Sequence, residues 1–381
     1  MLIVLGWIAL ALVLVFISLC LALHFYVICN YLPHAIRIFE EKPLFIIPYG
    51  QPVECAEAVS FPTSNGLTLH GCYLPGFGQR KGVIMFGLEF GSTRWSCVPY
   101  CEFLRERGYD IFAFESRGQG ESESQPGYEP LHWVTDFEVE DSRAALDYLK
   151  SRPDADPRGV GFFGISKGGG AGLFAAALNP YVRCCVTDGA FATHTTMVPY
   201  MQKWVLIYCH SALIVKALPF WYYGIAANMA LTRIQKSRGC HFPHLEDIIN
   251  RLSPRPWLAI HGGGDTYIKP EMARKLFEYA AEPKELWLVE RAKHNQVLNT
   301  AGEEYKRRVL AFFDEHLAAK SKTVVPASTN GASVHVDEAA CRVVREQEPA
   351  PEAQAASPAK FLLAAFLGVI GSAVTLALFL L

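Results

Sequence analysis

Charge is the first thing this sequence lacks. Only 19% of its 381 residues are Asp, Glu, Lys or Arg, and the 35 basic residues nearly balance the 37 acidic ones, for a net charge of −2. No block of Lys and Arg occurs, which argues against nucleic acid as a partner, because a phosphate-binding surface needs clustered cations. The eleven cysteines are odd in number and dispersed. Cys240, His241 and His244 have no second ligand pair at zinc spacing, so a plain loop is expected there and no metal. No internal repeat is visible.

Charge is absent altogether from 1–35, and 1–23 is almost wholly apolar. As a helix this stretch crosses a hydrocarbon core of roughly 30 Å. A cleaved signal peptide would have a basic n-region, a shorter apolar run and a small-residue cleavage site, none of which is clear here. Residues 1–35 are therefore read as a transmembrane helix. Residues 360–381 form a second uncharged stretch after Lys360, preceded by a Pro, Ala and Ser-rich linker, 319–359, with little to pack. A C-terminal transmembrane helix is expected there rather than a buried helix. Arg37 and Lys42 follow the first span, Arg342, Arg345 and Lys360 precede the second, and neither terminus carries Lys or Arg beyond its span. The positive-inside rule then puts the central domain in the cytoplasm. Its core is expected to be independent of 1–35, so removing both spans should give a more soluble domain.

Between the spans, 50–318 reads as an α/β domain. A hairpin signal, Ser64-Asn65-Gly66, separates strand-like runs 59–61 and 67–74. Further runs at 83–86, 111–114, 160–163, 182–187, 257–260 and 286–289 alternate with helical stretches such as 136–150, the pattern of a mostly parallel sheet with helices on both faces.

The segment that points to chemistry is Gly164-Ile165-Ser166-Lys167-Gly168, between a short buried strand and an Ala-rich helix. Gly-x-Ser-x-Gly in this context is the pattern of a nucleophile elbow: the glycines permit a sharp turn that projects Ser166 above the sheet. The Lys167 N–H, at the helix N-terminus, then faces a developing oxyanion. A dinucleotide fingerprint would need a second glycine where Ser166 stands. A merely structural turn has the same pentapeptide, so its partners decide. A serine needs a base, and the base a carboxylate. In the order this fold uses, Asp265 follows the strand run 257–260 and His294 follows 286–289, with Asp188 in reserve as the acid and His261 structural.

On these residues, and on Glu115-Ser116-Arg117-Gly118-Gln119-Gly120, the domain resembles the α/β-hydrolase superfamily, in its serine aminopeptidase and monoglyceride-lipase-like branch. The resemblance spans roughly 53–317. It implies a structural role for the Arg117 loop, with Arg117 tying strand ends together. It also implies a second oxyanion N–H from Leu88, although Phe86 stands where the family has His, and Glu89 brings a carboxylate nearby. A cap insertion is expected at about 192–250. Its stretch 197–231 holds Trp204, Phe220, Trp221, Tyr222 and Tyr223 with only Lys203 and Lys216 charged. Such a surface suits acyl chains, packs on the core or dips into a bilayer. For an acyl-selecting cap, Phe220 and Trp221 are expected to face the chain.

The expectation is a membrane-anchored serine hydrolase of carboxylic esters or thioesters with apolar acyl groups, needing no cofactor. Peptide or amide hydrolysis, acyl transfer, and an inactive anchored scaffold are its alternatives.

Overall fold

The computed structural model describes residues 2–42, 50–209, 215–216 and 218–318. The expected linker 319–359 and the span 360–381 lie outside the described residues. Eight short strands form one sheet: β1 (Glu57–Pro62), β2 (Thr68–Leu74), β3 (Gly82–Gly87), β4 (Tyr109–Phe114), β5 (Val160–Ile165), β6 (Val182–Asp188), β7 (Trp257–Gly262) and β8 (Lys284–Val289). Their spatial order is β1-β2-β4-β3-β5-β6-β7-β8. β1 and β2 form the expected hairpin, β2 runs antiparallel to β4, and the other neighbours are parallel. Every residue of β3, β4, β5 and β7 is buried, which is why these strands read as continuous apolar runs rather than as alternating ones.

Helices cover both faces. In the sequence α1 is Leu2–Asn30, α2 Leu32–Glu40, α3 Cys97–Arg105, α4 Asp136–Ser151, α5 Ser166–Leu178, α6 Thr193–Cys209, α7 Phe220–Arg238, α8 Pro270–Tyr279, α9 Val297–Ala301 and α10 Glu303–His316. One core layer joins Leu146, Leu149, Leu173 and Leu276, from α4, α5 and α8, to the sheet. The opposite layer joins Tyr100, Leu104, Val309 and Phe313, from α3 and α10. The chain reverses its direction of sheet growth between β3 and β5, and the crevice above that switch is where open α/β sheets hold their sites.

Two local features fix the frame around that crevice. Thr135 caps α4 in a capping box with Glu138, its hydroxyl accepting from the Phe137 N–H at 3.3 Å while Glu138 Oε2 accepts from the Thr135 N–H at 2.8 Å. Arg117, fully buried, donates through Nε and Nη2 to Asp141 Oδ1 at 2.8 and 2.6 Å, and through Nη2 to Glu140 at 2.8 Å. It therefore ties the loop after β4 to α4 instead of joining strand ends as expected, because the carboxylates that match its charge sit on that helix.

The N-terminal segment continues past its long apolar helix. α1 has 29 residues, long and apolar enough to cross a membrane, and its side chains up to Phe25 are almost all exposed. The apolar helix stops at Asn30, before residue 35, and α2 continues as an amphipathic turn whose Leu32, Ala35 and Phe39 share a buried face. The Phe39 ring stacks on Trp133 at 4.3 Å and 3°. Its carbonyl accepts the Trp133 Nε1–H at 2.8 Å, and Glu40 pairs with Arg238 at 2.8 Å. Ile28, Leu32, Ala35 and Phe39 belong to one cluster with Trp133, Tyr200, Tyr223 and Ile234 of the domain and its cap. No residue of 1–35 enters the two core layers on the sheet, but Ile28, Leu32 and Ala35 pack into this cap cluster.

The cap itself is α6 and α7 with the short helical turns Leu245–Asp247 and Ile249–Leu252. Tyr223 is buried, but Phe220 and Trp221 are 69% and 65% exposed and do not line an interior surface as expected. The phase of α7 turns 223, 227 and 230 inward and leaves 220, 221 and 225 outside.

Truncating Phe39 tests the N-terminal packing. Phe39→Ala should lower stability by about 3–5 kcal/mol, the usual cost of deleting a buried aromatic ring. Denaturant unfolding of the full chain in detergent reads this, and an unchanged midpoint would contradict it.

Candidate active site

At the end of β5 the backbone turns into α5 within one residue, and Ser166 takes φ +50°, in the left-handed region. A side chain there costs about 1–3 kcal/mol and persists only where the surroundings enforce it. They do so by close approach. A Cβ on Gly164 would lie 2.6 Å from Gly169 Cα, and one on Gly168 only 2.3 Å from the Leu88 carbonyl oxygen. The end of β3 and the first turn of α5 are thus in backbone contact, with Leu88 directly beside the Ser166 turn.

Ser166 Oγ is 2.8 Å from His294 Nε2, and His294 Nδ1 is 2.6 Å from Asp265 Oδ2. The carboxylate accepts, so the ring proton sits on Nδ1 and Nε2 is left to accept the serine O–H. The second oxygen, Asp265 Oδ1, accepts the backbone N–H groups of Tyr267 and Ile268 at 2.8 and 2.9 Å, which locks the carboxylate in place. The edge of the Tyr267 ring meets His294 at 5.4 Å between centroids. The structure thus brings Ser166, Asp265 and His294 into one hydrogen-bonded chain, each at the carboxyl end of its own strand.

Asp188 is not part of that chain. It is buried, and its Oδ2 accepts the Tyr305 O–H at 3.1 Å. Burial pushes its carboxyl up to about 7, with the nearby Asp265 charge adding to the rise. His261 donates from Nε2 to the Ile268 carbonyl at 2.7 Å and lies 3.5 Å from Asp265 Oδ2. Burial pushes its pKa down, so it supports the acid turn as a neutral ring.

Lys167 commits its side chain elsewhere. Its ammonium donates to the Leu131 carbonyl and pairs with Glu138 at 2.9 Å, both groups buried. Its main-chain N–H lies in the first turn of α5, at the positive end of the helix dipole. Phe86, in the position of the expected histidine, is a core residue packed edge-on against Phe163 at 5.4 Å. Glu89 is buried, and Ser96 Oγ donates to its Oε2 at 3.4 Å. Burial pushes its carboxyl up to about 7, and the Asp188 charge adds to this. The carboxyl next to Leu88 is then largely uncharged in mildly acidic conditions.

His132 went unread in the sequence. It is buried with Nδ1 unpartnered, and its ring lies 5.9 Å from that of Tyr267. Burial holds its pKa down at about 3, helped by the charges of Lys167 and His294, so it is a neutral ring beside the site. It stands in an irregular loop with no motif around it, and no local pattern marks it. Tyr267 was within reach, being two residues past Asp265. His244 stacks on His194 at 3.5 Å between ring centroids.

A family model for the alpha/beta hydrolase fold matches residues 73–208, from β2 through most of α6. The uncharacterized protein YfhR of Salmonella typhi is 25% identical over 291 residues, covering 71% of this chain and 86% of its own length. Polyketide transferase ATR5 of Stachybotrys chlorohalonatus is 25% identical over 293 residues, covering 68% of this chain and 97% of its own. Among solved structures, the esterase Pf2001 of Pyrococcus furiosus superposes with a TM-score of 0.52 at 20% identity, covering 74% of this chain and 99% of that one. With the eight-stranded sheet and its connections, these show the α/β-hydrolase fold.

The buried Glu89 gives a pH test. Its folded-state pKa of about 7 exceeds the ordinary 4.5, so wild-type stability falls as pH rises between these values and a buried charge remains above them. Glu89→Gln should match the wild type at about pH 5 and be more stable at about pH 8, by thermal unfolding. A difference that is the same at both pH values would contradict this.

Proposed function

We propose that the protein is a membrane-anchored serine hydrolase cleaving carboxylic esters or thioesters of apolar acyl groups through an acyl-enzyme. The observation that carries the reading is the hydrogen-bonded chain Ser166–His294–Asp265, with spacings of 2.8 and 2.6 Å, at the switch point of the sheet. The esterase Pf2001 supplies the fold, and the name of polyketide transferase ATR5 points to acyl chemistry in a relative that aligns across most of its length.

In this mechanism His294 Nε2 takes the Ser166 proton as Oγ bonds to the acyl carbon. The carbonyl oxygen becomes an oxyanion held by the N–H groups of Lys167 and Leu88. Asp265 keeps His294 in the required tautomer and stabilises its cation. Collapse of the intermediate breaks the bond to the alcohol or thiol, which leaves with the proton from His294. Water then repeats the sequence on the acyl-serine and releases the acid. The kinked turn at Ser166 supports this reading, since its strain presents Oγ without any motion of the strand.

The chain α1 to α2 supports anchoring. A removable leader has no reason to bury Ile28 and Leu32 in the cluster that holds Trp133. With Arg37 and Lys42 just past α1, the hydrolase domain faces the cytoplasm. The substrate partner is a small-molecule or lipid ester at that membrane.

Ser166→Ala and His294→Ala should each lower kcat by roughly five to six orders of magnitude, and Asp265→Asn by about four, on a p-nitrophenyl ester. Full turnover in Ser166→Ala would end the mechanism. A mild Asp265→Asn together with a severe Asp188→Asn would move only the acid. A panel of esters, acyl-CoAs and aminoacyl amides measured in parallel separates ester and thioester cleavage from amide hydrolysis and from acyl transfer.

Protease added outside sealed cells should leave the domain intact and cut it only after the membrane is opened. Digestion of the domain in sealed cells would contradict the cytoplasmic orientation.

A further inference from the structure

An apolar cavity lies where the foot of α1 meets the cap. It holds about 120 Å³ of space, is open on one side, and has walls that include Ile28 and Ala35 from the N-terminal segment, Met201 and Trp204 from α6, and Tyr222 and Ala226 from α7. Neither the anchor helices nor the cap form it alone.

Its chemistry selects the occupant. The Tyr222 hydroxyl is engaged with His24 Nδ1 at 3.2 Å, and that of Tyr223 donates to the Val215 carbonyl at 3.0 Å. The remaining walls are almost entirely hydrocarbon and aromatic carbon. A peptide segment would bring backbone N–H and C=O groups that these walls leave unpaired, each of which is costly to bury without a partner. A hydrocarbon tail brings none.

Position gives the source. Beside the cavity, Phe220, Trp221 and Ile225 of α7 and Leu206 and Ile207 of α6 are exposed, next to the apolar surface of α1. Exposed aromatic and aliphatic side chains at the end of a spanning helix belong at the membrane interface. Towards the site, Met201 follows Tyr200, whose ring meets the edge of Tyr267 at 5.9 Å, and Tyr267 in turn meets His294. Two packed tyrosine rings, neither of them part of the cavity wall, therefore stand between the cavity and His294.

We propose that this cavity holds the hydrocarbon tail of a long-chain lipid ester entering from the bilayer, with the ester carbonyl at Ser166. The proposal rests on the serine-hydrolase reading above. It makes the N-terminal helix part of the substrate site, and it makes Tyr200 and Tyr267 the residues past which the chain must lie.

The test uses the full chain in phospholipid nanodiscs and two phosphonate probes. One is a long-chain alkyl fluorophosphonate carrying a diazirine at the far end of its chain, and the other is its methyl analogue. Each forms a bond from Ser166 Oγ to phosphorus with loss of fluoride. Irradiation should then cross-link the long chain's end to peptides containing Val27 to Ala35, Met201 to Val205 or Tyr222 to Ala226. Ala226→Trp, which fills the cavity, should lower the ratio of long-probe to methyl-probe labelling rates about tenfold. Should Ala226→Trp lose both rates through misfolding, Val27→Trp on the opposite wall gives the same ratio. Labelled Ser166 with cross-links only outside the cavity, or a ratio unchanged by the filling variant, overturns the cavity assignment and leaves the hydrolase reading standing. The same holds if the apolar segment 361–381 or a second copy of the chain is found cross-linked within the cavity in the long probe's place. No labelling of Ser166 by either probe overturns the hydrolase reading and this proposal together.

Discussion

The backbone at the end of β5 must reverse into a helix within a single residue, and much of the molecule is arranged around that turn. Ser166 can hold φ +50° only because Gly164 and Gly168 bring α5 into backbone contact with strand β5 and with the end of β3. The same contact puts Leu88 beside the first turn of α5. β3 and β5 are buried along their whole length because helical crossovers cover both faces of this parallel part of the sheet. The buried pair between Lys167 and Glu138 then ties the start of α5 to the capped start of α4. A buried ion pair contributes little net stability, but breaking it is costly, so it holds position more than it adds strength.

A second layer of organisation lies above the sheet. The cap and the N-terminal helices share one apolar cluster, in which Phe39 stacks on Trp133, and Trp133 in turn packs against Tyr200 and Phe191. Trp133, His132 and Tyr267 form a continuous aromatic surface from α2 to the edge of His294. One run of packed rings therefore reaches from α2 to His294.

Much of this was legible in the sequence. All eight strands were visible as short apolar runs; in β3, β4, β5 and β7 burial on both faces removes polar residues, whereas β1 and β8 stay partly exposed. Ser166, Asp265 and His294 were each readable from a strand followed by a turn. The choice between Asp188 and Asp265 was not fully decided there, since it depends on which carboxylate meets the Tyr267 and Ile268 N–H groups and which meets Tyr305. The packing of α2 was hidden for another reason: its partners Trp133 and Arg238 are distant in the chain, and no local periodicity reports a contact of that range. The facing of Phe220 and Trp221 was misjudged because in an aromatic run the helical phase, not composition, decides which rings turn inward.

The most direct test of the central claim is to quench the full chain in acid during turnover of a long-chain p-nitrophenyl ester and map the protein by mass spectrometry. The account predicts one added acyl group, on the peptide containing Ser166, absent in Ser166→Ala. Sustained turnover with no acyl adduct on that peptide, or an adduct on another residue, would contradict it.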